Sequence, residues 1–210
     1  MYTLSEAVSL PEHLVGAEVQ RLGQHTDLVP AAFVIPPSFE EGFYRHNNLP
    51  FQLSAVFAPI RPQRIDEDTL EPLCLRARAL ILGSALLDDQ VQQFYRALHN
   101  AGLESGRLHL RRPGALAVHS QPTQLETAQV RAPGTEALHA LKRLWASDWQ
   151  FGVVLARLDT AGSVAVEARP VLVLRGEAGQ PDARMADRLK VNRAWVNDRG
   201  LVGLEYSPVV

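Results

Sequence analysis

The sequence predicts an α+β fold, with a mostly antiparallel sheet in the C-terminal half packed with amphipathic helices from the N-terminal half. Apolar residues recur at helical spacing over 68–83, and they alternate with polar residues over 107–111. Helical patterns dominate early and paired strands dominate late, which favours α+β over alternating α/β. A chain of 210 residues can bury one core. We therefore expect a single domain over 1–210, with a subdivision near 103–106 as the alternative.

The first elements are predicted to be a helix, a strand and a second helix. Residues 9–12 (Ser-Leu-Pro-Glu) match a capping box, and the apolar residues of 14–22 then share one helix face before Gly23. The uncharged run Ala31–Ile35, which two prolines end, is typical of a buried strand. Ser38 then caps a short helix in the same way.

Three further elements complete the first half of the chain. Apolar residues at every second position of 51–57 predict a strand. Residues 68–83 give the best-defined core helix, which an aspartate opens and a glycine ends. Residues 88–102 repeat that arrangement, with an aspartate at the start and a glycine at the end. The sequence therefore predicts two consecutive core helices here.

The second half begins with a predicted hairpin. Leucines alternate with charged residues over 107–111, Pro113-Gly114 supplies the turn, and 116–118 form the returning strand. A polar connection over 120–134 follows. A helix then begins at Thr135, with its leucines on one side.

A second hairpin is predicted after that helix. Apolar residues stand at every second position of 149–155, 159–162 form a tight turn with a glycine, and 164–166 return antiparallel. A last apolar run over 171–174 follows Pro170. Because proline cannot donate a ladder hydrogen bond, this strand either begins at the proline or lies on an edge of the sheet.

Composition and charge exclude several classes of function. The chain carries 21 Lys and Arg against 23 Asp and Glu, a net charge of −2, so it has no overall attraction to nucleic acid or anionic lipid. The longest nearly uncharged apolar run, 79–87, is too short to span a bilayer. Residues 1–10 lack the pattern of a secretory signal. We therefore expect a cytoplasmic protein that does not enter a membrane.

No spacing of Cys, His, Asp, Ser or Gly matches a known catalytic or cofactor motif. The single cysteine, Cys74, lies in the apolar phase of a predicted helix and is expected to be a small buried hydrophobe. The seven histidines occur in no HxH, HxxxH or HExxH arrangement. We expect no cofactor and no metal, and whether the protein is an enzyme stays open.

Arg107, His109 and Arg111 stand at alternate positions of a predicted strand. Their side chains therefore leave one face of the sheet, while the leucines between them face the core. Arg112 adjoins them in the sequence. Guanidinium groups beside an imidazole suit phosphate or carboxylate ligands, so these four are candidate anion- or nucleic-acid-binding residues. The alternative is an ordinary solvated sheet face.

Arg188, Lys190 and Arg193 are the remaining candidates for nucleic-acid binding. They belong to a basic C-terminal segment that also holds aromatic and asparagine residues. Residues 186–196 resemble the turn and the start of the second helix in helix-turn-helix proteins, which implies DNA contact by that helix. Gly200 comes too early for a full recognition helix, and the alternative is a short helix packed beside the sheet.

The leading hypothesis is a non-catalytic binding or assembly protein that acts through a protein–protein interface. Its partner is another protein or a second copy of the chain. The candidate anchors are the large aromatic residues Trp145, Trp149, Trp195 and Tyr206, provided that they share one exposed patch.

Two alternatives are kept beside this hypothesis. Nucleic-acid association through the two basic segments predicts that they meet on one face of the protein. An enzyme assembled from distant residues would use His109 or His119 as general base, with Arg111 holding an anion. The second alternative requires a pocket lined by those side chains.

Overall fold

The computed structural model describes residues 1–62, 64–115, 125–165 and 167–206, and these residues form the α+β fold that the sequence predicts. The described strands are β1 (Tyr2–Thr3), β2 (Ala32–Ile35), β3 (Gly106–Arg111), β4 (Leu125–Val130), β5 (Val171–Arg175), β6 (Gln180–Pro181), β7 (Arg193–Asn197) and β8 (Gly200–Glu205). The described helices are α1 (Leu4–Ala7), α2 (Glu12–Val15), α3 (Ala17–Gly23), α4 (Pro37–His46), α5 (Leu49–Phe57), α6 (Glu67–Gly83), α7 (Asp88–Asn100), α8 (Thr135–Ser147), α9 (Phe151–Ala161) and α10 (Ala183–Leu189).

A five-stranded antiparallel sheet lies at the centre of the fold. Its strand order is β1-β2-β5-β3-β4, so β5 is the middle strand. This strand begins directly after Pro170, where the missing N–H interrupts no ladder. The position is one of the two that the sequence allows.

Both faces of the five-stranded sheet are covered. Phe33, Ile35 and Val173 point into the larger core cluster, which helices α4 to α9 complete. Val34 and Leu172 point to the opposite face, where α1, α2, α3, α10 and the second sheet form another core. The central sheet is therefore the middle of three layers, which explains why apolar residues occupy both phases of β2 and β5.

The C-terminal segment forms a second sheet with the short helix α10 packed beside it, and not a helix-turn-helix. The strand order of this sheet is β6-β7-β8, with antiparallel pairing throughout. The Asp182 side chain caps α10 by accepting a hydrogen bond from the Met185 backbone N–H at 2.8 Å, and α10 ends at Lys190 in the left-handed region. Residues 193–197 then pair with β8 instead of forming a recognition helix, so the resemblance to helix-turn-helix proteins is wrong.

Two predicted strand segments are helices. Residues 51–57 belong to α5, which buries Leu49, Leu53 and Phe57 at a spacing of four and leaves Phe51 exposed. Residues 149–166 were expected to form a hairpin, but α9 occupies most of that segment and ends where Gly162 adopts positive φ. In both cases every second residue is apolar, and this pattern also satisfies a spacing of four.

The predicted N-terminal helix is interrupted, and its cap lies elsewhere. Gly16 adopts a φ of 88° between α2 and α3, and no side chain caps α2 at Pro11. The capping box is formed instead at the start of α1, where the Thr3 backbone N–H donates to the Glu6 carboxylate at 2.8 Å. A positive φ suits glycine, so the chain bends at Gly16.

The polar connection predicted over 120–134 contains a strand. Residues 125–130 form β4, an edge strand that pairs with β3 and buries Ala128 and Val130 while its alternate residues face outwards. An edge strand with one solvated face has few apolar residues, so its sequence resembles a loop. The return predicted at 116–118 lies outside the described residues.

Other predicted elements are confirmed. The core helices correspond to α6, α7 and α8, and the first buried strand corresponds to β2. Cys74 is buried on α6, and this burial raises the pKa of its thiol to about 11. Within the described ranges, we find no helix with the length and apolar character that a membrane crossing needs.

Replacing Gly200 with alanine is expected to destabilise the fold by about 2 kcal/mol. Gly200 has a φ of 134°, and an added Cβ would collide with the backbone oxygen of Leu28, which already accepts from the Leu201 N–H at 2.8 Å. Gly83→Ala is the matched control, since nothing lies within 4 Å of a Cβ there. Urea unfolding should separate the two variants, and equal stabilities would contradict this account.

Candidate functional site

Arg111 is fully buried and bound to one carboxylate. Its two terminal nitrogens donate to the two oxygens of Glu18, on α3, at 2.7 Å each. The same nitrogens also donate to the backbone oxygens of Arg112 and Val202. Glu18 in turn accepts from the backbone N–H groups of Gly114 at 2.6 Å and Leu204 at 3.0 Å. This ion pair joins the central sheet to the second sheet.

Arg112 forms a second buried cluster on the opposite face of the sheet. Its guanidinium binds both oxygens of Glu40, on α4, at 2.8 Å each, and one oxygen of Asp148 at 2.7 Å. The other oxygen of Asp148 accepts from Arg169 at 2.5 Å, and the Arg169 backbone N–H donates to Glu40. Burial raises the pKa of Glu40, although Arg112 opposes that shift.

Donors occupy both oxygens of each of these carboxylates. Glu18, Glu40 and Asp148 each accept hydrogen bonds on both oxygens. The cations that donate to them are Arg111 at the end of β3, Arg112 directly after it, and Arg169 just before β5. A carboxylate that acts as general base needs an oxygen free to reach its substrate. The arrangement is that of buried structural ion pairs, which hold distant elements in place.

His109 lies beside Arg111 in the middle layer and is fully buried. Its Nδ1 is 3.3 Å from the backbone oxygen of Gly176, and its Nε2 has no partner among the described residues. Burial, reinforced by the positive charge of Arg111, lowers the pKa of His109 to about 4. The imidazole is therefore neutral at physiological pH and forms no cationic site with its neighbours.

The seven candidate residues separate into two groups. His109, Arg111 and Arg112 point into packed layers, so the face that His109 and Arg111 were expected to expose to solvent is covered. The other four candidates are exposed. Arg107 forms an ion pair with Glu177, which follows β5 in the chain. The remaining three lie on or next to α10 and β7: Arg188, Lys190 and Arg193. His119, the other candidate base, lies outside the described residues.

The aromatic residues do not form the exposed patch that the sequence hypothesis requires. Trp145, Trp149 and Trp195 are all buried, and Tyr206 is partly covered by Arg21, whose guanidinium lies 3.7 Å from the ring centroid. The proposed aromatic anchors are therefore core residues. Their large apolar area suits a core as well as an interface, so composition alone does not separate the two roles.

The exposed apolar surface lies on the outer face of α6, and not at the aromatic residues. Leu75 and Leu82 are 58% and 42% exposed, and Pro72 and Ala79 lie on the same side of the helix. We call these four residues the α6 stripe. The inward side of α6 buries other residues in the core, so the helix is apolar on two opposite sides. Such a helix has more than the single apolar face that packing on one core requires.

The sequence also contains a signal for this stripe. Leu75 and Leu82 are leucines of the helical segment 68–83 that lie outside its predicted inward face. They stand seven residues apart, two turns along the helix, which places them on one face. The neighbouring helix α5 also exposes Phe51, which is 70% accessible.

The described residues gather no group of three His, Cys, Asp or Glu side chains that could hold a metal ion. No protein-family profile matches the sequence, and the search of curated proteins finds no match either. The geometry of the chain itself therefore carries the functional argument.

Proposed function

We propose that this chain is a non-catalytic binding protein that docks a protein partner on the α6 stripe. The observation that carries the proposal is the exposure of Leu75, a large apolar side chain on a well-packed helix. Large apolar residues that are clustered and exposed are characteristic of interaction surfaces. Of the five exposed large hydrophobic residues that the structure describes, four lie between 51 and 87, on α5, α6 and the start of α7.

The surroundings of the stripe fit an interface centre with a polar rim. Glu71 and Arg78 flank one side of the stripe, and Arg76 flanks the other. None of the four stripe residues is charged, and the charged side chains of this part of α6 lie beside the stripe. Interfaces combine an apolar centre, depleted in charge, with a charged rim that is open to solvent. The partner is therefore expected to offer an apolar patch bordered by both signs of charge.

The buried carboxylates support binding without catalysis. Each buried acid that the sequence or structure brings forward has its oxygens occupied by arginine or backbone donors. A buried charge that is fully paired stabilises position and offers no proton exchange with a substrate. A binding role needs only a rigid scaffold that presents a surface, and the three-layer fold supplies one.

Position-specific crosslinking tests the proposed docking surface. A photoreactive benzoylphenylalanine is placed at Leu75 and irradiated in the cells that naturally produce the protein. We expect one covalent adduct with a defined protein, or with a second copy of this chain, and mass spectrometry identifies the attached peptide. When Leu82→Glu is added to the chain that carries the crosslinker at position 75, the yield of adduct should fall by at least about tenfold. The reason is that the new charge would be desolvated in the centre of the interface without a partner.

The control places the same crosslinker at Gln92, an exposed position on α7. An adduct that forms at Leu75, is absent at Gln92 and is lost with Leu82→Glu supports the proposal. The proposal fails if position 75 gives no adduct, if both positions give the same adducts, or if Leu82→Glu changes nothing. Since Leu82 is already exposed, its substitution should not unfold the chain, and circular dichroism checks this.

A further inference from the structure

A groove with two lobes lies on a separate part of the surface, around Tyr44 and Pro50. The first lobe has a volume of about 410 Å³ and is mostly apolar; Leu53, Phe57 and Trp149 form its wall. The second has a volume of about 330 Å³ and includes Glu40, Glu41 and Arg45. Tyr44 and Pro50 line both lobes. Volumes of this size match small-molecule sites, which usually combine an apolar wall with a few polar groups.

The Tyr44 hydroxyl has a hydrogen atom for which the described residues supply no acceptor. The indole N–H of Trp149 donates to the Tyr44 oxygen at 3.0 Å, and an indole nitrogen can only donate. Tyr44 is thus the acceptor in this bond, and its own O–H remains available. No other hydrogen bond of this hydroxyl is found among the described residues. A donor in this position, at the boundary of an apolar lobe, is suited to an acceptor on a ligand.

The surroundings of the Tyr44 hydroxyl favour an uncharged ligand over an anion. Burial raises the pKa of Tyr44, and the negative charges of Glu40 and Asp148 add to that shift, whereas Arg112 opposes it. The hydroxyl therefore keeps its proton and stays a donor at physiological pH. Glu40 and Asp148 are paired with Arg112 and Arg169, so the penalty for a carboxylate or phosphate is the hydration that it would lose on entering the apolar lobe. A carbonyl oxygen or a neutral ring nitrogen meets no such penalty.

The apolar lobe is shaped by rigid aromatic side chains. Phe57 and Trp149 are stacked, with their ring centroids 5.6 Å apart and their planes 23° from parallel. Arg157 lies over the Trp149 ring at 5.1 Å and helps to fix it. Rigid walls need no reorganisation when a flat ring enters, which lowers the cost of binding.

We propose that this groove binds a small uncharged molecule that has a flat apolar ring and one hydrogen-bond acceptor. The ring occupies the apolar lobe, where Pro50, Ile60 and Val164 line the groove together with the buried pair Phe57 and Trp149, and the acceptor receives the Tyr44 O–H. The site is independent of the α6 stripe, so the chain combines a protein-docking surface with a small-molecule site.

Three small probes of similar shape test the groove. Acetophenone has a ring and a neutral acceptor, ethylbenzene has the ring alone, and benzoate has the ring with a negative charge. Each is titrated into the whole protein, and the indole N–H resonance of Trp149 is followed by NMR after assignment with Trp149→Phe. Acetophenone should bind about fivefold more tightly than ethylbenzene, the usual gain from one hydrogen bond. Benzoate should bind most weakly.

Two variants separate the hydroxyl from the lobe. Tyr44→Phe should remove the advantage of acetophenone over ethylbenzene, whereas Tyr95→Phe, whose hydroxyl lies 3.5 Å from Thr135 and away from the groove, should retain it. Ser54→Phe fills the apolar lobe from α5 and should abolish binding of all probes while Tyr44 stays intact.

The binding preferences of the wild type and the two variants decide the proposal. A preference for acetophenone that Tyr44→Phe removes and Ser54→Phe abolishes supports the proposal. The proposal is overturned if no probe shifts the Trp149 resonance, if benzoate binds most tightly, or if the preference persists in Tyr44→Phe. Should Tyr44→Phe fail to fold, probe binding that survives Ser54→Phe is sufficient to reject the site.

Discussion

Arg112→Met should lower the free energy of unfolding at pH 7 by about 3–5 kcal/mol, the usual cost of removing one partner from a buried ion pair. Glu40 and Asp148 both lose their shared cation, and both are almost completely buried. Methionine fills much of the arginine volume, so a cavity contributes little. Urea unfolding monitored by tryptophan fluorescence gives the comparison.

The destabilisation caused by Arg112→Met should be smaller at acidic pH, and this pH dependence shows whether the buried carboxylate of Glu40 is its cause. The folded pKa of Glu40 is already raised by burial, and removing Arg112 raises it further. A group with a raised folded pKa contributes stability below its unfolded pKa of about 4.5, and that contribution is lost as the pH rises through the folded value. The variant should therefore be closest to the wild type near pH 4.5 and furthest from it at neutral pH.

Arg143→Met is the matched control for this experiment. Arg143 pairs with Glu126 at 2.8 Å, but both side chains are partly exposed. Exposed pairs contribute less than about 1 kcal/mol. If both arginine variants lost the same free energy at pH 7, the buried cluster would have no special role in stability.

The second large effect is expected from His109 in acid. Its folded pKa is about 4, below the ordinary value of 6.5, so the unfolded chain takes up a proton that the folded chain does not. Stability is therefore unaffected above about pH 6.5 and falls as the pH drops towards 4, by about 3 kcal/mol over that interval. His109→Gln should remove this loss, so its unfolding free energy should depend less steeply on pH.

His139→Gln provides the control, because His139 is exposed on α8. The slope of unfolding free energy against pH between 6.5 and 4 should decrease by up to about 1.4 kcal/mol per pH unit in His109→Gln alone. Equal slopes in wild type and His109→Gln would show that the imidazole is solvated or protonated in the folded state.

The sequence predicts the fold class and the strongest helices because these depend on local patterns. The periodicity of 68–83 and 88–102 determines α6 and α7, and acidic residues at the start of each helix and a glycine at or after its end mark the boundaries. The segments 51–57 and 149–155 are ambiguous, since apolar residues at every second position also include residues four apart. Contacts with distant elements decide such segments, and these contacts are not visible in a local window.

The candidate site was less predictable for a related reason. The alternation of Arg107, His109 and Arg111 gives the correct direction of their side chains but not what covers them. Their partners, such as Glu18, are about 90 residues away in sequence. The Tyr44 hydroxyl accepts its hydrogen bond from Trp149, which is 105 residues away in sequence, and this leaves the O–H of Tyr44 available as a donor. Neither spacing has a local signature.

The adjacent positions of Arg111 and Arg112 also determine which pairings of the central sheet are accessible. Because their guanidinium groups bind carboxylates in opposite layers, a slip of β3 by one residue would turn Arg111 and His109 towards the apolar layer that holds Val173. There, a charged guanidinium would meet hydrocarbon and lose Glu18. A misaligned sheet therefore has a higher free energy than the native one. Apolar residues alone would not impose this penalty, since leucine or valine fits either layer.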